Sequence, residues 1–489
     1  DGLQMEILLI TFAAEHIYLE YSACGLYYLK SYVDKDPSLK DIKISVKYYN
    51  NRVPSDILEE QKKEIIGFIK ERRVDIIGFG CYIWNIKRVL SLSCEIKEIF
   101  PSVKIILGGP QVIYRPEELL REKLYLDIIV RGDGEETFAE LLRYFLYGYK
   151  TLHEITGITF RVNNEIISTT HRALLMDLDS IPSVYLGGLY SIRKGCVYPV
   201  ETSRGCIFKC AYCHWGMTKL RFFSLERVKK ELLYLLDKKV SFCMFVDSAI
   251  NFDKERALHI INFINKNNKG TLVTMFQSIH FMDEELINVL NASPGIYTEI
   301  GVQSLNPIAM RNINRKVITK EEFARLSFMM RPFTIDLIYG LPGDNLQFFK
   351  ETFQEVFRYT KNISMFRLGV HPGTDLWEKR DEYSMEIDEE YSIICNYSYG
   401  RSDIEETEIF KKNYEEVFSP IVCSEFSGKE IWGIADSLRL SICDFINEYS
   451  RYLKENFSSE YINNIKYTHR EIKLQSLREF SIMNGGGVI

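Results

Sequence analysis

No stretch of this 489-residue chain holds the roughly 18 consecutive uncharged apolar residues that a membrane-spanning helix requires, so no membrane partner is expected. No long basic block is present either. With 61 basic against 67 acidic residues the net charge is −6, and a nucleic acid gripped through its phosphates is not an expected partner. No basic segment precedes the short apolar run Ile7-Leu8-Leu9-Ile10, which argues against a secretory signal, and Met5 reads as the native start. No internal repeat or low-complexity tract interrupts the chain. What is present is ordinary for a folded protein: 46% apolar and 26% charged residues, in a length that predicts about three domains. The eleven cysteines, without a signal, read as thiols and ligands in a reducing cytoplasm rather than as a disulfide scaffold.

The first 150 residues alternate strand-like and helix-like patterns. Apolar runs at Met5–Thr11, Val74–Gly80, Val103–Gly109 and Asp127–Arg131 suit strands buried on both faces of a parallel sheet. Ile42–Tyr48 alternates apolar and polar residues, the period of an edge strand with one wet face. Ser55 is placed to cap a helix with Ile65, Ile66 and Ile69 on one face, and a helix from near Gly134 aligns Phe138, Leu141, Leu142 and Phe145. Five strands with helical crossovers make a small doubly wound α/β domain, whose ligands bind at the carboxyl ends of the strands. The loops there read Gly78-Phe79-Gly80-Cys81-Tyr82, Gly108-Gly109-Pro110-Gln111 and Arg131-Gly132-Asp133-Gly134-Glu135. One glycine loop would be only a tight turn. Three in successive units predict a ligand brought close to backbone.

Residues 151–195 read as a linker containing a hairpin, Gly157–Val162 and Glu165–Thr170, turning at Asn163-Asn164. From 196 to 380 the alternation resumes, with strands expected at Val197–Thr202, Ser241–Asp247, Thr271–Gln277, Tyr297–Gln303, Thr334–Gly340 and Ser364–Val370. Ser224 is placed to cap the helix that follows the first of them. Six βα units predict an open, partial barrel with its functional residues at the strand carboxyl ends. Residues 381–489 lose the strand signal and read as mainly helical, ending in the flexible-looking Asn484-Gly485-Gly486-Gly487.

The sharpest signal is Cys206-Ile-Phe-Lys-Cys210-Ala-Tyr-Cys213, directly after an expected strand. Three thiolates within eight residues can wrap one soft metal centre. A closed zinc site would need a fourth ligand, and His214, adjacent to Cys213, is poorly placed to supply it. Three ligands to a four-iron cluster would leave one iron open. On spacing alone a cluster, a zinc ion and unligated thiols all remain open.

The Cys-x3-Cys-x2-Cys spacing, with an aromatic before the last cysteine and the lead-in Glu201-Thr202-Ser203-Arg204-Gly205, resembles the radical S-adenosylmethionine superfamily. Phe245-Val246-Asp247-Ser248, Glu299-Ile300-Gly301-Val302-Gln303-Ser304, Asp336-Leu337-Ile338-Tyr339-Gly340-Leu341-Pro342-Gly343 and His371-Pro372-Gly373-Thr374 resemble, in order, its cobalamin-dependent branch. The resemblance covers about residues 5–380. It implies a flavodoxin-like cobalamin-binding domain over 1–150 and a partial (β/α)6 TIM-like barrel over 196–380; the helical carboxy-terminal domain over 381–489 matches no motif and is a candidate substrate cap. The Asp-x-His-x-x-Gly sequence that gives a histidine to cobalt in many cobalamin mutases has no match.

By that resemblance the cofactors are a [4Fe-4S] cluster, S-adenosylmethionine and cobalamin. Cys206, Cys210 and Cys213 would bind three irons. Gly78, Cys81, Tyr82, Gly108, Gly109, Gly132, Gly134 and Glu135 would face cobalamin, with Trp84 beside Tyr82. Tyr212 would pack near the adenine or shield the cluster, and Asp247, Glu299 and Gln303 are candidates for contact with S-adenosylmethionine. No catalytic side chain is assigned. The implied reaction is transfer of a methyl group from methylcobalamin to a substrate carbon radical. Non-methylating cyclisation, rearrangement or oxidation with the same cofactors is the alternative, and a non-catalytic sensor lies behind both. The implied partners are a small-molecule or peptide substrate and an external one-electron reductant.

Overall fold

The computed structural model describes residues 4–330, 333–468 and 470–484, apart from the side chain of His16; the glycines after Asn484 lie outside the described residues. The chain divides into two compact units. One comprises Asp1–Ile207, His214–Met275 and Ser293–Ile296, the other Phe208–Cys213, Phe276–Ala292 and Tyr297–Ile489.

In the first unit, β1 (Met5–Ala13), β2 (Ile42–Asn50), β3 (Ile76–Gly80), β4 (Lys104–Gly108) and β5 (Ile128–Val130) run parallel in the order β2-β1-β3-β4-β5. This is the flavodoxin-like winding. The apolar runs are buried because helices cover both faces. Leu8, Ile10, Ile77, Phe79, Ile105 and Leu107 join one core, and Ile7, Leu9, Ile76, Ile106 and Ile128 join the other. The alternating strand β2 is the edge, as its pattern predicts, with Ile42 and Ile44 buried and Lys43 exposed.

The hairpin is present as β6 (Ile158–Val162) and β7 (Glu165–Ser168), with Asn163 and Asn164 both at positive φ, 49° and 66°. Two left-handed residues give the turn whose twist matches the flanking strands. The hairpin is more than a connector: β6 pairs antiparallel with β5, Val130 opposite Ile158, and extends the sheet. Ser55 does not cap its helix. It is the first residue of Ser55–Arg72, behind Pro54, although Ile65 and Ile69 are buried as expected. Ser224 does cap, accepting from the Arg227 N–H at 3.2 Å.

All six later strands are present. The first unit holds β8 (Val197–Val200) and β11 (Phe242–Phe245), paired in parallel, and the start of β12 (Leu272–Gln277) beside β11. It also holds an antiparallel ribbon of two residues a side, β9 (Ser203–Arg204) and β10 (Arg221–Phe222). The second unit carries β13 (Ile296–Gln303) from its second residue on, β14 (Phe333–Tyr339) and β15 (Ile363–Arg367), again parallel. Its carboxy-terminal part is helical from Arg401 to Met483 apart from short connections. Those helices are built around buried aromatics, among them Phe353, Phe410 and Tyr414 with ring centroids about 5 Å apart. Among the described residues no helix is long and apolar enough to cross a membrane.

Candidate active site

In the first unit the sheet register sets the glycine loops side by side. Gly80 lies opposite Gly108, and the Cys81 N–H donates to Gly108 O at 2.8 Å. Between these loops and the start of the helix at Gly134 lies a cavity of about 230 Å³. Leu9, Ile106, Val130 and Phe138 give it apolar walls, and Gly78, Gly80, Gly108, Gly109, Gly132 and Gly134 give it a rim without side chains. Tyr82 also lines it and stacks on Trp84 at 4.6 Å, the planes within 4°. Cys81, expected to face a ligand, does not line the cavity. Its side chain turns into the core of the opposite face, fully buried, and its Sγ donates to Phe79 O. At period two along the chain Cys81 falls on the other side from Gly80 and Tyr82, and burial pushes its thiol above the ordinary range.

Three charged side chains break the apolar wall, Asp133, Glu135 and Arg204. The Arg204 guanidinium donates to Glu135 Oε1 at 2.8 Å and to Glu201 Oε1 at 3.0 Å, and lies 3.8 Å from Asp133 Oδ1. It sits over the rings of Tyr28 and Phe223, at 5.4 and 6.0 Å. Arg221 Nη1 reaches the other oxygen of Asp133 at 2.6 Å. Glu135 Oε2 is buried and has no partner among the described residues. Glu201 is half-buried, and loss of solvent raises its pKa against the pull of Arg204.

The lead-in to the cysteines is pinned from below. Asp247, just after β11, accepts from the Thr202 N–H at 3.0 Å, from Thr202 Oγ1 at 2.7 Å and from the Ser203 hydroxyl. Burial raises its pKa to about 6 despite those bonds. Both oxygens are committed to this segment, so the structure places Asp247 as a clamp on it. Cys206 follows, its N–H donating to Thr218 O at 3.4 Å.

In the second unit the Cys213 N–H donates to Cys210 O at 3.0 Å, and Ala211 is anchored through its N–H to Ile313 O at 2.9 Å. Arg315 gathers three partners: Cys210 Sγ at 3.5 Å, Tyr212 Oη at 3.3 Å and Gly301 O at 2.6 Å. Sequence reasoning missed Arg315, a lone arginine in a polar turn with no spacing to mark it. A cation directed at a thiolate suits a cysteine that serves as a ligand. Among the described residues no three His, Cys, Asp or Glu side chains close around a single ion, the arrangement a closed zinc site needs.

Glu299 and Gly301 share the half-buried face of β13, and Asp336 stands opposite Gly301 on β14. Gln303, at φ 70°, folds its amide back over Gly301, so that Nε2 fills the space a Cβ there would take, while Oε1 is buried without a partner among the described residues. Neither Glu299 nor Asp336 has a bonding partner among the described residues. Burial and the facing Glu299 push Asp336 up to about 7, and burial raises Glu299 as well. Gln303, Asp336 and Arg315 thus offer an acceptor, a carboxyl and a cation, a set that fits the hydroxyl and carboxylate groups of S-adenosylmethionine. The orphaned Glu135 Oε2 in an apolar cavity fits the amide edge of a corrin.

Residues 10–142 match the family model described as the B12 binding domain, and residues 200–356 match that of the Radical SAM superfamily. The chain belongs to the radical SAM proteins that carry a B12-binding domain. The 2-(S-pantetheinyl)-carbapenam-3-carboxylate methyltransferase of Streptantibioticus cattleyicolor is 24% identical over 372 residues, 71% of this chain and 53% of that protein. The cobalamin-dependent radical SAM methyltransferase TokK of Streptomyces tokunonensis is 26% identical over 338 residues, 64% of this chain and 49% of TokK. The chain therefore spans about half the length of these two curated relatives. The cobalamin-dependent S-adenosylmethionine radical enzyme OxsB, solved with aqua-cobalamin and S-adenosylmethionine, superposes with a TM-score of 0.67 at 13% identity. That superposition covers 98% of this chain and 79% of OxsB, and shows that the fold is shared. The glycine-rimmed cavity lies in the B12-binding domain, and the three cysteines lie in the radical SAM domain.

Proposed function

We propose that this radical SAM protein is a cobalamin-dependent C-methyltransferase acting on an unactivated carbon of a small molecule or peptide. One observation carries the reading: a single chain joins a glycine-rimmed, apolar cavity in a B12-binding domain to the three-cysteine loop of a radical SAM domain. That two matched relatives are named methyltransferases favours methyl transfer over the other radical outcomes. When bound, the cluster and S-adenosylmethionine would supply a carbon-centred radical, and cobalamin would supply a transferable methyl group.

The chain's own residues hold and enclose. Cys206, Cys210 and Cys213 would ligate the cluster, with Arg315 donating to the Cys210 thiolate. Gln303, Asp336 and Arg315 would orient S-adenosylmethionine, and the backbone rim of the cavity, with Tyr82 and Glu135, would hold the corrin. A radical reacts with whatever it meets, so the site that holds the substrate would have to exclude water. We assign residues 1–150 to cobalamin, 151–195 to the linking hairpin, 196–380 to the radical SAM barrel and 381–489 to a helical cap that selects the substrate. The proposed setting is a reducing cytoplasm, where an external one-electron donor feeds the cluster.

The test uses anaerobically reconstituted protein with cobalamin, a low-potential reductant and S-adenosylmethionine. We expect both 5′-deoxyadenosine and S-adenosylhomocysteine from the wild type, and neither from Cys210→Ala. Deoxyadenosine alone, in the presence of true substrate, would replace methyl transfer by a non-methylating reaction. Neither product from a fully loaded protein would point to a sensor.

A further inference from the structure

The three cysteines hang from one loop, residues 205–220, and the β9–β10 ribbon closes that loop at its base. The ribbon is only two residues wide, so little backbone holds it. Its side chains supply the hold. Arg204 and Arg221 stand opposite each other in register, and both reach Asp133, from separate strands to separate oxygens. Arg204 also binds Glu135, and Arg221 Nη1 donates to Leu175 O at 2.7 Å. Asp133, Glu135 and Arg204 line the glycine-rimmed cavity. The rim of the cavity and the base of the cysteine loop are therefore one ionic cluster, fixed by the same two guanidiniums.

That cluster is incomplete as it stands. Three carboxylates, of Asp133, Glu135 and Glu201, face two guanidiniums, and Glu135 Oε2 is buried without a donor among the described residues. A buried carboxylate oxygen in an apolar cavity calls for an N–H donor, and the amide groups on a corrin's edge are such donors. A donor there would fix Glu135, and through it Arg204, two residues before Cys206. Ligation of Cys206 would in turn fix Arg204 and hold Glu135 ready for that donor.

We propose that Arg204 and Arg221 couple the two cofactor sites: occupancy of the cavity by a corrin strengthens the hold on the iron–sulfur cluster, and the cluster strengthens corrin binding. Arg204 is a positioning residue in this scheme. The inference rests on the cofactor assignments above. Because coupling between two binding sites is reciprocal, either direction measures it.

The experiment titrates hydroxocobalamin into anaerobic protein with the cluster reconstituted and into the same protein stripped of iron, following the corrin absorbance. The expected dissociation constant is about 5-fold or more lower with the cluster present, within the usual range of coupling between sites. In Arg204→Lys the ratio is expected to fall below about 2-fold while both cofactors still bind, since an ammonium cannot span three carboxylates as the planar fork does. A ratio near one in wild-type protein carrying both cofactors overturns the coupling and leaves the cofactor assignments standing. An undiminished ratio in Arg204→Lys overturns the role of the arginine. Should that variant fail to fold, Glu135→Gln keeps the shape and removes the charge that Arg204 holds, and the same loss of ratio is required of it. Wild-type protein that takes up no corrin, or no cluster, overturns the assignments and the coupling together.

Discussion

Arg315 Nη1 lies 3.5 Å from Cys210 Sγ, while the other terminal nitrogen of the same guanidinium donates to Gly301 O at 2.6 Å. The cation is held by backbone and directed at the Cys210 sulfur. A donor to a cluster sulfur stabilises the more negative, reduced state, so its removal should lower the reduction potential. Arg315→Gln is expected to shift the cluster midpoint negative by roughly 50 mV, about a tenfold change for one electron. Electron paramagnetic resonance during a redox titration measures it. An unchanged midpoint would mean that the arginine does not act on the cluster.

Asp247 illustrates a site residue whose place in the chain was clear and whose work was not. Ending a strand just beside the cysteine lead-in, it reads as a ligand contact, yet both oxygens accept from Thr202 and Ser203. Asp247→Ala removes three bonds from a buried segment and should cost about 2–4 kcal/mol of stability in chemical denaturation. The affinity of the folded fraction for S-adenosylmethionine should hardly change. A large loss of affinity with stability intact would restore the ligand role.

The sequence showed the strands of both sheets because their apolar runs are short, rich in branched residues and followed by glycine, and it showed the edge strand through its alternation. It located the cysteine loop by spacing alone. The partners it could not show are the long-range ones. Arg204 and Arg221 are seventeen positions apart in the chain and meet only because the β9–β10 ribbon folds back. Asp133, which both arginines hold, sits in a glycine loop whose reading concerned its backbone. Arg315 reaches Cys210 across more than a hundred positions of chain. Cys81 turns away from the cavity, and a loop of mixed glycine and cysteine gives no face until the strand before it is placed. Ionic contacts between distant segments leave no periodicity, so composition and pattern cannot reveal them.

Asp336 and Glu299 stand on neighbouring strands, neither carboxyl with a bonding partner among the described residues, and Asp336 is raised from 3.8 to about 7 by burial and by the facing Glu299. A carboxyl whose pKa is higher in the folded chain favours folding while it is protonated. That contribution is complete below about pH 4 and is lost as the pH rises through about 7. Cofactor-free protein should therefore lose roughly 4 kcal/mol of stability over this window. In Asp336→Asn that part of the slope should vanish. Denaturant midpoints across the window decide it, and equal slopes in the two proteins would place the titration elsewhere.

Gly109 is held at φ 103°, and a Cβ there would lie 2.6 Å from Cys81 O and 2.9 Å from Cys81 N. Both contacts are with backbone of the neighbouring loop, fixed by the bond from the Cys81 N–H to Gly108 O, so neither can turn aside as a side chain would. Gly109→Ala must either separate the two loops or keep both strain and clash, at about 2–4 kcal/mol. Gly132 lines the same cavity at φ 80° with nothing within 4 Å of its missing Cβ, so Gly132→Ala carries the backbone strain alone, about 1 kcal/mol. The expected order is therefore fixed: Gly109→Ala is the less stable variant and also binds hydroxocobalamin more weakly, because the loops that move apart form the rim of the cavity. Denaturant midpoints and a corrin titration on the two variants test both parts. Equal losses of stability would show that backbone conformation alone selects glycine at these positions, and that the close approach to Cys81 adds nothing.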